Sequence, residues 1–246
     1  MSASDFFHLP RLHVSAPLVQ EAAVTLSEAQ GHYLRHVMRL ESGAQIRLFN
    51  QEQGEWLGTL ECPSKKLTVV QLLNLLRAPE VVLRQVHLVF SPIKKDRMDW
   101  LIEKAVELGV TDLHPVLMRR SVMRDIKVER VEAQIVEAAE QCERLDIPRL
   151  YPLESLQKFL KSHDGEQKIY AALERREAPV LSEIFDRTLD PYFYMIGPEG
   201  GFDPEEITLL CAQACIVPVS LGARILRAET AALFGLSSFL YENMKE

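Results

Sequence analysis

The residues best suited to chemistry gather where an apolar run gives way to a turn and then to a helical pattern. The richest such place is Met195-Ile196-Gly197-Pro198-Glu199-Gly200-Gly201-Phe202-Asp203-Pro204-Glu205-Glu206. Three glycines within five residues let the backbone turn tightly and approach a ligand closely. Asp203 suits an N-cap, Pro204 the first helical position, and Glu206 completes a capping box. A glycine pair also serves any tight turn, so both uses stay open for the loop by itself. It is neither a dinucleotide fingerprint nor a phosphate-binding loop, because G-x-G-x-x-G and G-x-x-x-x-G-K-[ST] are absent. Glu199, Glu205 and Glu206 would repel a phosphate from the helix N-terminus. The expected ligand is therefore neutral or positively charged near this loop.

A second junction is Ser220-Leu221-Gly222-Ala223-Arg224-Ile225-Leu226-Arg227-Ala228-Glu229-Thr230-Ala231. An apolar pair flanked by two arginines offers either a ligand wall or ordinary core packing. Arg227 and Glu229 beside it are either functional charges or a surface ion pair worth about 0–1 kcal/mol. A third junction, after Lys168–Leu173, is undiagnostic by itself. Elsewhere, His32, Arg35, His36 and Arg39 follow i, i+3, i+4, i+7 spacing and form one basic stripe on a helix. Arg119, Arg120, Arg124 and Lys127 make a second basic group. Each is either a solvated face or a contact for a polyanion. Cys211 and Cys215 stand four apart without a second ligand pair, which favours buried small hydrophobes over a metal.

These residues need particular elements to position them. Ser27 and Gln30 read as a capping box opening an amphipathic helix through Leu40, with Tyr33, Val37 and Leu40 as its apolar side. Strand-like runs follow at Ile46–Phe49, Trp56–Leu60 and Leu67–Leu72, and a linker is expected near Arg77-Ala78-Pro79. Beyond it the pattern alternates. Strands are expected at Val86–Phe90, Asp112–Leu117, Lys168–Leu173, Tyr192–Ile196 and Ile216–Leu221. Helices are expected at Asp96–Leu108, Val128–Cys142, Pro204–Ala214 and Ala228–Tyr241. Alternation of this kind predicts an α/β domain with a largely parallel sheet covered on both faces. Ligands in such sheets bind at the carboxyl ends of the strands, where the junctions lie.

The 246 residues suffice for one or two domains with a real core. No apolar run approaches the roughly 18 residues of a membrane-spanning helix, and the first residues do not resemble a signal peptide, so a cytosolic location is expected. Counting 28 basic against 35 acidic residues gives a net charge of −7, which argues against indiscriminate nucleic-acid binding. The excess is uneven. Residues 1–77 balance seven basic against seven acidic groups and hold four of the seven histidines, so the whole deficit lies beyond them.

The pair Gly197-Pro198-Glu199-Gly200-Gly201-Phe202 and Leu221-Gly222-x-Arg224-Ile225-Leu226-Arg227-x-Glu229-Thr230-Ala231 resembles the RsmE family of 16S ribosomal RNA uridine-N3 methyltransferases, in the SPOUT superfamily. Lys104–Val110, Arg120-Ser121-Val122 and Ala139–Arg144 agree, in order, and His32–Leu40 resembles the family's RNA-binding, PUA-like module. The resemblance implies two domains: a PUA-like one at 1–77 and a methyltransferase one at 78–246, the latter a SPOUT-type parallel sheet with a C-terminal trefoil knot. It implies S-adenosyl-L-methionine bound at Leu173, Ile196, Gly197, Gly200, Gly201, Leu221, Gly222, Ile225 and Leu226. It further implies RNA contacts at Arg11, His32, Arg35, His36, Arg39, Arg119, Arg120 and Arg124, a homodimer, and no metal. The partner would be 16S ribosomal RNA in the assembled small subunit, methylated at N3 of uridine 1498 in the usual numbering.

In that chemistry a deprotonated N3 attacks the cofactor's methyl group in an in-line displacement. Arg227 is the expected cation near the uracil oxygens and Glu199 the expected proton acceptor. A competing assignment makes Glu199 a loop-stabilising carboxylate and Arg227 a phosphate contact. Two other classes compete with the whole reading. A nucleotide-dependent dehydrogenase lacks its fingerprint here. The other is a non-catalytic RNA-binding or assembly factor with a decayed cofactor pocket, and the intact GPEGG and ILRAETA segments argue against decay without proving turnover.

Overall fold

The protein is described here from a computed structural model covering residues 6–64, 66–82, 84–163, 165, 167–173, 177–184, 186 and 190–243. The chain divides into two compact units, Met1–Val82 with Ala139–Ile147, and Leu83–Ala138 with Pro148–Glu246.

The first unit holds β1 (Arg11–His13), β2 (Ala23–Thr25), α1 (Glu28–His32), a π-helical turn at Tyr33–Val37, β3 (Gln45–Asn50), β4 (Gly54–Glu61) and β5 (Val69–Arg77). Its sheet runs β1-β3-β4-β5-β2, parallel only between β1 and β3. The Ser27–Gln30 capping box forms as read. Of the expected apolar side, only Leu40, just beyond the π-turn, packs against the unit's core. Leu34 and Gly31 are buried, whereas Tyr33 and Val37 are exposed. The cause is the π-turn: Met38 N–H reaches Tyr33 O, adding a residue to the turn and breaking the 3.6-residue period.

The first unit also takes in a later segment that a single division near residue 77 does not provide for. Residues 139–147 join the first unit because Arg11 donates to the carbonyls of Ala139 (3.0 Å) and Arg144 (2.8 Å). Arg47 pairs with Glu143 at 2.9 Å, and Arg77 donates to Glu143 O at 2.7 Å. No local pattern in the sequence announces these long-range ties.

The second unit contains β6 (Val86–Phe90), α2 (Lys95–Glu107), β7 (Asp112–Leu117), α3 (Val128–Gln141, its last turn in the first unit), β8 (Arg149–Leu150), β9 (Glu154–Ser155) and α4 (Leu156–Ser162). It continues with β10 (Ile169–Ala172), α5 (Leu181–Ile184), β11 (Tyr192–Ile196), α6 (Pro204–Cys211), β12 (Ile216–Val219) and α7 (Ala228–Asn243). Strands run β12-β10-β11-β6-β7-β8, with β9 also pairing β7, and all pair in parallel. The expected α/β class is therefore present. β6 and β11 are buried at every residue, as a sheet covered on both faces requires. Phe193 and Met195 of β11 join a core with Phe159 of α4 and Leu210 of α6. Tyr192 and Tyr194 face α7, stacking on Phe239 and donating to Ala231 O.

From β6 the chain proceeds to β7 and β8 on one side, and later fills the other side with β10, β11 and β12. The order thus reverses between β6 and β11, and a crevice at their carboxyl ends is the expected place for a ligand. Cys215 is buried as read, but Cys211 is exposed. No helix among the described residues is long and apolar enough to cross a membrane.

Candidate functional site

A cavity of about 490 Å³ opens at the carboxyl ends of β10, β11 and β12, within the size range of small-molecule sites. Ala172 and Leu173 come from β10, Ile196 to Pro198 from β11, Val219 to Leu226 from β12 and the loop beyond, and Ala228 and Ala231 from α7. Of the positions expected to hold a cofactor, Leu173, Ile196, Gly197, Leu221, Gly222, Ile225 and Leu226 line this cavity.

Gly200 and Gly201 do not. They form the return of the turn toward α6: a Cβ at Gly200 would lie 3.3 Å from Arg120 Cβ, and Gly201 has φ +69° with its N–H on Pro198 O. Gly197 does meet the requirement for a missing side chain, since a Cβ there would sit 2.7 Å from the Phe202 ring. Gly222, at φ +100°, turns the chain after β12 in a conformation that other residues rarely adopt.

The charged residues are arranged differently from the expectation. Arg224 lines the cavity, whereas Arg227 is exposed and lies outside the lining. Glu199 is largely covered, and its Oε1 accepts from Arg97 Nη1 at 2.6 Å. Arg97 Nε in turn lies 3.7 Å from Oε1 of Glu229, a buried residue in the first turn of α7. Arg97 was not singled out in the sequence. It stands five residues beyond Pro92 in a helical turn with nothing diagnostic around it, and only the adjacency of β6 and β11 makes it a partner of Glu199.

At the start of α6 the expected capping box is complete, with Asp203 as N-cap and Glu206 bonding back to it. Buried Glu206 also accepts from Arg119 N–H at 2.8 Å. Arg119 pairs with Glu205 at 2.5 Å and Asp203 at 3.5 Å, and Arg120 with Asp203 at 3.5 Å and the Gly200 carbonyl at 3.3 Å. Two arginines expected to face RNA thus answer the acidic start of α6, while keeping about half their surface exposed. Arg124 is exposed and donates to Arg119 O.

In the first unit, His32, His36 and Arg39 are exposed, with the two imidazoles 4.7 Å apart, and Arg35 is half-buried with Nε on Gly31 O. The even four-residue stripe is broken by the π-turn. Tyr33, Val37 and Met38 now share the exposed surface with these cations. Arg11 is the clear correction. It is only 7% exposed, stacks 3.4 Å over the Phe49 ring and spends its donors on backbone carbonyls. A guanidinium so enclosed holds the unit together and has no donor to offer RNA. Among the described residues no cluster of His, Cys, Asp and Glu suited to a metal is present.

Known proteins were compared with the chain. Residues 80–240 match the RNA methyltransferase domain family, and residues 26–73 the RNA methyltransferase PUA domain. The ribosomal RNA small subunit methyltransferase E of Rickettsia conorii is 30% identical, over 92% of this chain and 93% of its own. A putative methyltransferase of Legionella pneumophila, solved with bound SAM, shares 28% identity at a TM-score of 0.86, covering 96% of this chain and 98% of its own. The ribosomal RNA small subunit methyltransferase E of Neisseria gonorrhoeae, solved bound to S-adenosyl methionine, gives 26% and 0.81 at the same coverage.

Proposed function

Because the chain belongs to the ribosomal RNA small subunit methyltransferase E family, we propose that it methylates N3 of one uridine in 16S ribosomal RNA, in the assembled small subunit, using S-adenosyl-L-methionine. The observation that carries this is the cavity at the ends of β10, β11 and β12, with Glu199 beside its wall. The lining suits the cofactor. Leu173, Ile196, Leu221, Ile225 and Leu226 give the adenine an apolar slot, and the open space at Gly222 leaves room for backbone hydrogen bonds to it. No glycine-rich phosphate loop is present, and the cofactor has no phosphate. When bound, it supplies an electrophilic methyl group.

The residues of the chain then have two tasks. N3 lies on the Watson–Crick edge, so the uridine must be unpaired or flipped out before it can be positioned. Glu199, one residue beyond cavity-lining Pro198, takes the N3 proton once substrate binding brings the base to it. Arg227, exposed beside the cavity's α7 wall, faces the uracil oxygens and stabilises the anion as it forms.

RNA is read by the π-turn surface, where Tyr33 offers a face for stacking an unpaired base beside His32, His36 and Arg39. Arg35 flanks it, and Arg119, Arg120 and Arg124 form a second foothold. The trefoil knot belongs to the same proposal. Its supports are β12 lying outside β10 while β11 lies inside, and Val180 bridging Ser220. So does a homodimer: α2 and α7 pack together, and each leaves large apolar side chains exposed, Trp100 on one and Phe234 and Tyr241 on the other. An enzyme acting on assembled subunits would work in the cytoplasm, and that location is part of the proposal.

The test is transfer of labelled methyl to small subunits that lack the modification. Label is expected at N3 of a single uridine, and Arg227→Ala should reduce turnover more than RNA affinity. Label at another base, or only on free transfer RNA, would overturn the substrate. Full turnover in Arg227→Ala with weaker RNA binding would make Arg227 a phosphate contact.

A further inference from the structure

Arg97 lies in the first turn of α2, close to the end of β6, and meets two carboxylates from distant parts of the chain. Nη1 is 2.6 Å from Glu199 Oε1, and Nε is 3.7 Å from Glu229 Oε1. Neither Arg97 nor these carboxylates line the cavity, yet each carboxylate is the next residue after one that does. Glu199 follows Pro198 in the loop after β11, and Glu229 follows Ala228 at the start of α7. A single guanidinium therefore ties together two walls of the cavity.

The carboxylates depend on it. Their side chains are only 14% and 10% exposed. Glu199 Oε2 and Glu229 Oε2 are shut off from water without any hydrogen-bond partner among the described residues. Arg97 is the one cation paired with either carboxylate among those residues. The group carries one excess negative charge in a mostly dry crevice. Without the guanidinium, two covered carboxylates would face each other with nothing between them, and mutual repulsion would drive their segments apart. Arginine suits the position because one edge of its rigid plane donates to Glu199 at 2.6 Å while another stays within ion-pair range of Glu229 at 3.7 Å, whereas lysine offers a point charge.

We propose that Arg97 is a positioning residue of the cofactor cavity. Through Glu199 and Glu229 it holds the Gly197–Glu199 loop and the start of α7 at the spacing that lets the cavity take S-adenosylmethionine. The proposal rests on the reading of the cavity given above. It adds a residue that touches neither cofactor nor substrate and sets the shape of the site from behind its walls.

Calorimetric titration of the full chain with S-adenosylmethionine tests it, alongside filter binding to small-subunit RNA. Arg97→Met should weaken cofactor affinity roughly tenfold to a hundredfold, as small misplacements of a binding wall do, with RNA affinity unchanged. Adding Glu229→Gln to Arg97→Met should recover part of the cofactor affinity by removing one of the two opposed charges. Arg97→Lys should fall between wild type and Arg97→Met, and it carries the test if Arg97→Met does not fold. Wild-type cofactor affinity in Arg97→Met or Arg97→Lys overturns the proposal. So does lost RNA affinity with cofactor affinity intact, or a double variant that binds no better than Arg97→Met. A wild-type chain that binds no S-adenosylmethionine overturns the reading of the cavity instead, so the two failures are distinct.

Discussion

Glu55 is a single carboxylate, 1% exposed, ringed by three guanidiniums. Arg47 Nη1 lies 2.9 Å from it, Arg11 Nε 3.3 Å and Arg77 Nη1 3.4 Å. Burial works against the charge on Arg11, and Glu55 is the main counterweight. The same arginines reach Ala139, Glu143 and Arg144, so Glu55 sits at the hub that joins residues 139–147 to the first unit. Removing one member of a buried ionic group leaves its partners uncompensated, which is far costlier than losing a surface pair. Glu55→Gln should therefore destabilise the protein by about 3–5 kcal/mol in urea denaturation. A loss below about 1 kcal/mol, the surface-pair range, would show that the arginines find other partners.

At the scale of the element, the short helix α1 and its π-turn show how one inserted residue changes which side chains face water. Gly31 is pressed so closely on the sheet that a Cβ there would lie 2.5 Å from Thr68 Oγ1. With that contact fixed, Leu34 fills the core next to Leu48 and Leu60, while Tyr33, Val37 and Met38 turn outward. The consequence is measurable by comparing two truncations of similar size. Leu34→Ala should cost about 2–5 kcal/mol, as for other buried leucines, and Val37→Ala less than about 0.5 kcal/mol. Equal losses at the two positions would restore the regular helix with Val37 on its inner side.

For the whole molecule, pH stability turns on a histidine pair inside the second unit. His87 Nδ1 and His114 Nε2 lie 2.9 Å apart, among Phe193, Tyr151, Phe159 and the half-buried His163. Burial pushes His114 down to about 3, helped by His87 and His163. Burial also lowers His87, against the opposing pull of Asp112 and Asp190 and with help from His163 and Arg149. Both rings thus stay neutral in the fold, whereas the unfolded chain takes up their protons below about 6.5. Stability should be complete above that value and decline as pH falls from about 6.5 toward 3, by about 1.4 kcal/mol per unit for His114, with a loss of the same sign added by His87. Urea midpoints between pH 7.5 and 4.5 would show this slope, and a flat series would mean that the pair is already charged in the fold. One unit of the net charge of −7 lies in the site region, where Glu199, Glu229, Asp203 and Glu205 are answered by Arg97, Arg119 and Arg120.

The sequence by itself determined the alternation of strand and helix, both capping boxes and the family's two signature loops. Those features are written in residues within a few positions of one another, where hydrogen-bond reach and side-chain period are fixed by local geometry. It also located the cavity's aliphatic and glycine lining, since each strand end carries its own loop. The tertiary structure alone decided which charges meet. Arg97 and Glu199 stand 102 residues apart, and Arg11 and Ala139 stand 128 apart. Their pairing depends on β6 lying beside β11 and on the end of α3 reaching the first sheet, and no local period encodes either. An arginine in a sequence announces a charge; whether it faces RNA, braces a cavity or fastens a core depends on what the fold places opposite it.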